Sequence, residues 1–238
     1  MRISDKAIVL QSIRHGDKKV ILKIFTANHG LLTVITSTGK TATSKVKTGT
    51  IQLLNILEVE LILKQNKEIH QLTEASCYYA HTGISGSFSK LSIAQFLNEI
   101  LLKSLKEQSS NQHLFDFIET CFTFLSDSEE NYINLHLYFL LELSRYLGFG
   151  PQNNHNKADS FFDIREGRFS NNELPFPLGL SDSDSELFSG FLKQDILKTE
   201  YSGAQRQNLI EILLAYYRLH IPGFNEVKSL EVLREISH

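Results

Sequence analysis

Between Ala7 and Cys77 the apolar residues fall into short alternating runs separated by polar turns. Ala7 and Val9 alternate with Ile8 and Leu10 toward Ile13, Gly16-Asp17 makes a tight turn, and Val20, Leu22 and Ile24 form a second run. The Asn28-His29-Gly30 turn leads into a third run, Leu31 to Thr36, and Leu57, Val59, Leu61 and Leu63 form a fourth against Glu58 and Glu60. Gln65-Asn66-Lys67 turns the chain into a fifth, Ile69 to Cys77. A period of two is the signature of strands with one buried face. Five short strands are too few to cover two sheets, so the pattern predicts a small closed barrel of the OB type. Between the third and fourth strands lies Gly39 to Gly49, with Lys40, Lys45 and Lys47, no acid and no large apolar residue except Val46. It reads as a basic, mobile loop.

After residue 80 the period changes. Ile93, Phe96, Leu97, Ile100, Leu101 and Leu105 follow a helical stripe, with Ser92 and Gln95 spaced as a capping box at its start. Further helices are predicted over His113 to Leu125 and Tyr132 to Leu147. The second of these is apolar on most of its circumference, hence the centre of a bundle, and Gly148-Phe149-Gly150-Pro151 stops it. A polar stretch then precedes a short hairpin, Phe161 to Phe169, that turns at Glu166-Gly167. Helical pattern resumes near Ser183, a second capping box at Ser202 and Gln205 opens a strong helix through His220, and a last helix spans Ser229 to Ile236 with Leu230 and Leu233 facing inward. The expected architecture is α+β: residues 1–80 an OB-type barrel, residues 81–238 a helical domain with residues 150–180 as a small insertion.

Charge changes this picture more than composition does. The 238-residue chain is ordinary in its 42% hydrophobic content, and its net charge is -3. Through His81, however, eleven Lys and Arg face six Asp and Glu, a balance of +5, while the remainder carries thirteen against twenty-one, a balance of -8. Such asymmetry points to an anionic partner for the first third. The two cysteines, Cys77 and Cys121, have no metal-ligand spacing and read as buried free thiols of a reducing compartment. No apolar run reaches the ~20 residues that span a bilayer, and the first residues lack a signal peptide's apolar core, so a cytoplasmic protein without a membrane partner is expected.

Enzyme signatures are missing: no phosphate-binding lysine loop, dinucleotide glycine motif, nucleophile elbow or paired zinc histidines occur. His136 and His220 lie on apolar faces, as core histidines do, and Asp182, Asp184 and Glu186 among serines read as a capped helix start favoured by the helix dipole. Neither a catalytic residue nor a metal ligand is assigned. What remains is binding: a barrel with lysines, threonines and a basic loop suits a phosphate backbone. Phe25 is the lone aromatic before Tyr78, so the barrel should lean on phosphates more than on base stacking.

Several motifs in order, K-A-I-V-L-Q-S-I-R-H-G-D, H-G-L-L-T-V-I-T-S-T-G-K, N-I-L-E-V-E-L, L-E-L-S-R-Y-L-G-F-G-P and L-L-A-Y-Y-R-L-H-I-P-G-F, give the chain a resemblance to the RecO family of bacterial recombination mediators. The resemblance implies an OB-fold, a helical domain and no catalytic turnover. It further implies a DNA repair role in the RecF pathway: binding single- and double-stranded DNA, annealing strands, and acting with RecR and the acidic tail of single-stranded DNA-binding protein so that RecA is loaded. It places DNA contacts on Arg14, Lys18, Lys19, Lys40, Lys45 and Lys47. The tail is expected on the helical domain, where Arg145, Arg206 or Arg218 would supply a cation. Many members hold zinc on two Cys-x-x-Cys pairs after the G-F-G-P element; this chain has no cysteine beyond Cys121, so no cofactor is expected and residues 150–180 read as a zinc-less remnant. Two alternatives stand beside this reading: an adaptor without DNA binding, and a hydrolase using Asp163, Asp182, Asp184 and His155.

Overall fold

The computed structural model describes residues 1–16, 19–39, 41, 43–105 and 110–235. The chain packs as two units, Met1–Ser87 with Ser104–Asp127, and Phe88–Lys103 with Ser128–His238.

The first unit is built on five strands: β1 (Arg2–His15), β2 (Lys19–Thr26), β3 (Gly30–Ser37), β4 (Ile56–Ile62) and β5 (Ile69–Tyr79). They close a barrel in the order β1-β2-β3-β5-β4. One strand does double duty. The 14-residue β1 pairs with β4 along its first half and with β2 along its second, and the register shift between Val9 and Gln11 leaves Leu10 as an extra residue. Such a bulge bends and twists a strand, which is how β1 turns the corner between two neighbours. Closure comes from a short parallel joint between β3 and β5, in which Thr33, Val34 and Ile35 lie opposite Ile69, His70 and Gln71.

The alternating residues meet in a core that includes Ala7, Val9, Leu22, Ile24, Val34, Leu57, Val59, Leu61 and Leu72. Val46 and Ile51 belong to the same core, only 2% and 4% exposed. The described part of the lysine-bearing connection around Val46 is therefore packed rather than hung free as its composition suggested. Its single large apolar residue is drawn into the barrel, the Gly39 amide donates to the Val46 carbonyl at 3.1 Å, and the Ala75 amide of β5 donates to the Lys45 carbonyl at 3.1 Å. A β-carbon at Gly39 would meet the Ser44 side chain, which would have to move.

Two helices complete this unit, α1 (Thr82–Ser85) and α3 (Gln112–Asp127), with α2 (Phe88–Ser104) between them in sequence. Phe25 stacks on Phe115 of α3 at 6.1 Å between ring centroids, and Lys6 Nζ reaches Glu119 at 2.6 Å. Cys121 is buried, but Cys77 is exposed, against expectation. Beside it the β4–β5 register shifts, leaving Tyr78 as an extra residue, and Ser76, Cys77 and Tyr78 all reach solvent.

The second unit contains α2, α4 (Leu135–Tyr146), β6 (Phe161–Asp163), β7 (Arg168–Ser170), α5 (Asp182–Lys193), α6 (Gly203–His220) and α7 (Leu230–Glu235). Helix α2 begins four residues before the expected cap. Ser92 lies inside it and donates its hydroxyl to the Phe88 carbonyl at 2.8 Å, so the Ser92–Gln95 capping box does not exist. Phe88 and Leu91 are exposed, and an apolar stripe cannot mark a turn whose large side chains face water.

The other helix ends are as the residues dictate. Ser181 caps α5 by accepting from the Asp184 amide, and Ser202 with Gln205 forms the full capping box of α6. Helix α4 stops in a Schellman turn: Gly148 at φ 86° donates to the Arg145 carbonyl, and Phe149 donates to that of Ser144. Tyr216 and Tyr217 of α6 are buried, and their hydroxyls donate to the carbonyls of Phe149 at 2.5 Å and Leu140 at 2.7 Å. The β6–β7 hairpin packs Phe162 against Phe169, Phe188 and Tyr216.

Candidate nucleic-acid interface

Two basic grooves on the surface of the barrel share Lys64. The larger, about 610 Å³, has a floor of Ile35, Thr36, Gln71, Leu72 and Thr73, and four cations, Arg2, Lys19, Lys45 and Lys64, around it. The smaller, about 310 Å³, adds Thr33, Asn66, Lys67 and His70 beyond Lys64. The fold explains the gathering. Gln71 lies opposite Ile35 of β3 and Ile62 of β4, so the first turns of β5 bring the ends of three strands together. Arg2 and Lys19 sit at the first residues of β1 and β2, and Lys64 lies two residues past the end of β4. Each long side chain is thereby placed at a strand end, where its charged head stays in water while the sheet beneath supplies hydroxyls and a glutamine amide.

Two of these cations are not free. Lys45 pairs with Glu74, and Arg2 Nε lies 3.1 Å from Glu60. Lys45 donates a hydrogen bond to the Glu74 carboxylate and holds it below the usual carboxylate range, with Arg2 adding to the effect. On the far side of Lys45 a third groove, about 700 Å³, is lined by Glu58, Glu60 and Glu74 together with Lys6 and Tyr78. Lys45 borders both this groove and the four-cation groove. Among the described residues no aromatic ring except the imidazole of His70 lines either basic groove, and Phe25 is in the core. The chemistry on offer is charge and hydrogen bonding to phosphates, not base stacking.

Of the DNA contacts expected from sequence, Lys19 and Lys45 lie on the larger groove. Arg14 and Lys47 are exposed and line neither groove. Lys18 and Lys40 fall outside the described residues. Arg2, Lys64 and Lys67 were not singled out in the sequence. They carried a signal only as members of the basic first third, because their convergence depends on the β3–β5 joint.

The three arginines considered for the tail peptide lie apart along the second unit. Arg145 pairs with Glu142 at 2.5 Å, the Arg206 guanidinium donates to the Tyr201 carbonyl, and Arg218 is exposed near the end of α6. Arg206 and Arg218 are separated along one helix by roughly 18 Å, so they cannot rim one small pocket. Histidines add no site. His136 is buried and pushed down to about 3 by burial, with the nearby Arg206 charge acting in the same direction. His220 is stacked on Phe149 and donates to the Ile164 carbonyl at 2.9 Å.

Asp163 closes the β6–β7 turn by accepting from the Arg165 and Glu166 amides, and Asp184 accepts from Ser181 and Asn208. No group of three His, Cys, Asp or Glu able to hold a metal occurs among the described residues. The donor set between Pro151 and Gly179 does not fit zinc. Its one histidine, His155, sits edge-on to Phe169, and Asn154 bonds both the Phe169 amide, at 2.8 Å, and its carbonyl, at 2.9 Å.

Two family profiles cover the chain, that described as Recombination protein O N terminal over residues 1–80 and that described as Recombination protein O C terminal over residues 85–231. The chain belongs to the RecO family. A DNA repair protein RecO of Flavobacterium psychrophilum is 35% identical over 242 residues, covering 99% of each chain. That of Azobacteroides pseudotrichonymphae is 30% identical over 239 residues with the same coverage. The RecO of Porphyromonas gingivalis is 29% identical over 98% of each chain. Membership in RecO places the role of the chain in DNA repair, and the OB-like barrel with its helical unit is the architecture expected of it. No helix among the described residues is long and apolar enough to cross a membrane.

Proposed function

We propose that the chain is a non-enzymatic mediator of the RecF pathway that acts in the cytoplasm by binding single- and double-stranded DNA along the barrel and annealing strands. The observation that carries this reading is the gathering of Arg2, Lys19, Lys45, Lys64 and Lys67 on the two grooves at the β3–β5 joint. In the same reading it works with RecR and takes the acidic tail of single-stranded DNA-binding protein on its helical unit, which favours RecA loading without contact to RecA. It works without zinc or another cofactor. Arg218 is the preferred cation for the tail, since Arg145 and Arg206 are engaged within the unit. Binding rather than turnover suits the carboxylates as well, because Asp163 and Asp184 are taken up by turn and cap hydrogen bonds.

A titration of labelled oligo(dT) at rising salt, alongside an annealing assay, tests the reading. Log affinity should fall linearly with log salt, by ~0.7 per phosphate neutralised. Absence of binding at low salt would favour the adaptor reading, which the internal pairing of Arg2 and Lys45 also supports. Loss of tail-peptide binding on Arg218→Ala, but not on Arg145→Ala, is expected for the helical unit.

A further inference from the structure

We propose that Glu74, with Glu60 opposite it, is an internal competitor for the DNA-binding cations, so that a strand is captured by exchanging carboxylate for phosphate on Lys45 and Arg2. This inference rests on the DNA-binding reading of the barrel. Glu60 and Glu74 lie directly opposite each other across β4 and β5. Like charges so placed destabilise a sheet, and here each is neutralised by one cation, Arg2 on Glu60 and Lys45 on Glu74. Both cations are also members of the basic groove.

The geometry lets Lys45 change partners without moving its backbone. Its carbonyl is held by the Ala75 amide at 3.1 Å, and Val46 beside it is buried in the barrel core. The side chain itself is 67% exposed, so moving its head from the Glu74 carboxylate to a phosphate costs little desolvation. When Lys45 and Arg2 turn to DNA, Glu60 and Glu74 are left facing each other and gather cations from solution. That uptake offsets part of the counterion release from the DNA. Lys45 should therefore contribute less than the ~0.7 of slope expected from an unpaired lysine on a single strand. Glu74 thus sets the affinity and the salt response of the groove from outside it.

The test compares the full-length chain with Glu74→Gln, with Glu74→Gln carrying Lys45→Ala, and with Asp116→Asn. The last removes an exposed acid of α3 that lines none of these grooves. Anisotropy titrations with labelled oligo(dT) over a salt series give affinity and slope, and a melting curve of each variant verifies folding. Glu74→Gln should bind about 2- to 5-fold tighter at low salt, the range of an exposed ion pair. Its salt dependence should be steeper, Lys45→Ala should abolish the gain, and Asp116→Asn should bind as the parent does. Unchanged or weaker binding by Glu74→Gln overturns the inference while leaving DNA binding intact. An equal gain from Asp116→Asn overturns it too, by assigning the effect to overall charge. If parent and variants all fail to bind, the DNA-binding reading falls, and this inference with it.

Discussion

Lysines that look alike in the sequence differ by what faces them. Lys64 lines both basic grooves and forms no ion pair among the described residues, whereas Lys45 is held by Glu74. Replacing Lys64 with alanine should lower the slope of log affinity against log salt by ~0.7 on single-stranded DNA, and Lys45→Ala should lower it by less. Both side chains are exposed, so neither change should move stability by more than about 0.5 kcal/mol. Salt titrations beside melting curves check this, and a larger slope change for Lys45 would contradict the order. The sequence shows that Lys45 stands in an acid-free loop but not that Glu74, 29 positions away, reaches it. Pairings of that kind depend on strand register. The same limit hid Arg2 and Lys64, whose neighbours in the groove come from β3 and β5.

At the scale of elements, the strands were legible because each has one apolar face, and the α6 cap because it is a local hydrogen-bond pattern. The β3–β4 connection is not legible in the sequence because its anchoring needs only two apolar residues, Val46 and Ile51, too few to make a period. If the loop is a packed plug, Val46→Ala should cost about 2 kcal/mol in chemical unfolding, from lost methyl burial and a residual cavity. A mobile loop would show almost no change. The β6–β7 hairpin makes the complementary case. Asn154 bonds both backbone groups of Phe169, and Phe162 packs against the Phe169 ring. Tag-free protein should therefore contain no stoichiometric zinc by elemental analysis and should melt unchanged in a chelator, while Asn154→Ala should lose about 1–3 kcal/mol through two unmade hydrogen bonds. Melting that shifts downward on chelation would refute this.

For the molecule as a whole, each unit contains one buried histidine that resists protonation. His81 of the barrel unit is pushed down to about 4 by burial, with Asp127 opposing the effect, and His136 of the helical unit to about 3. In the unfolded chain both titrate near 6.5. The unfolded state therefore binds more protons than the folded state as pH drops below that value, and stability present at neutral pH is progressively lost as pH falls from about 6.5 toward about 4. Urea midpoints measured between about pH 7 and pH 4 should decline, and a His136→Leu variant that still folds should decline less steeply. A His136→Leu profile parallel to the parent's would remove His136 as a cause. The barrel has its own point of weakness. Its closure rests on three β3–β5 residue pairs, against eight between β2 and β3, and the basic grooves lie across that joint. Amide hydrogens of His70 and Gln71 should thus exchange among the fastest in the sheet when the protein is free, and, on the DNA-binding reading, a strand laid over the joint should slow them, bracing from outside the seam that the barrel itself closes with the fewest pairs.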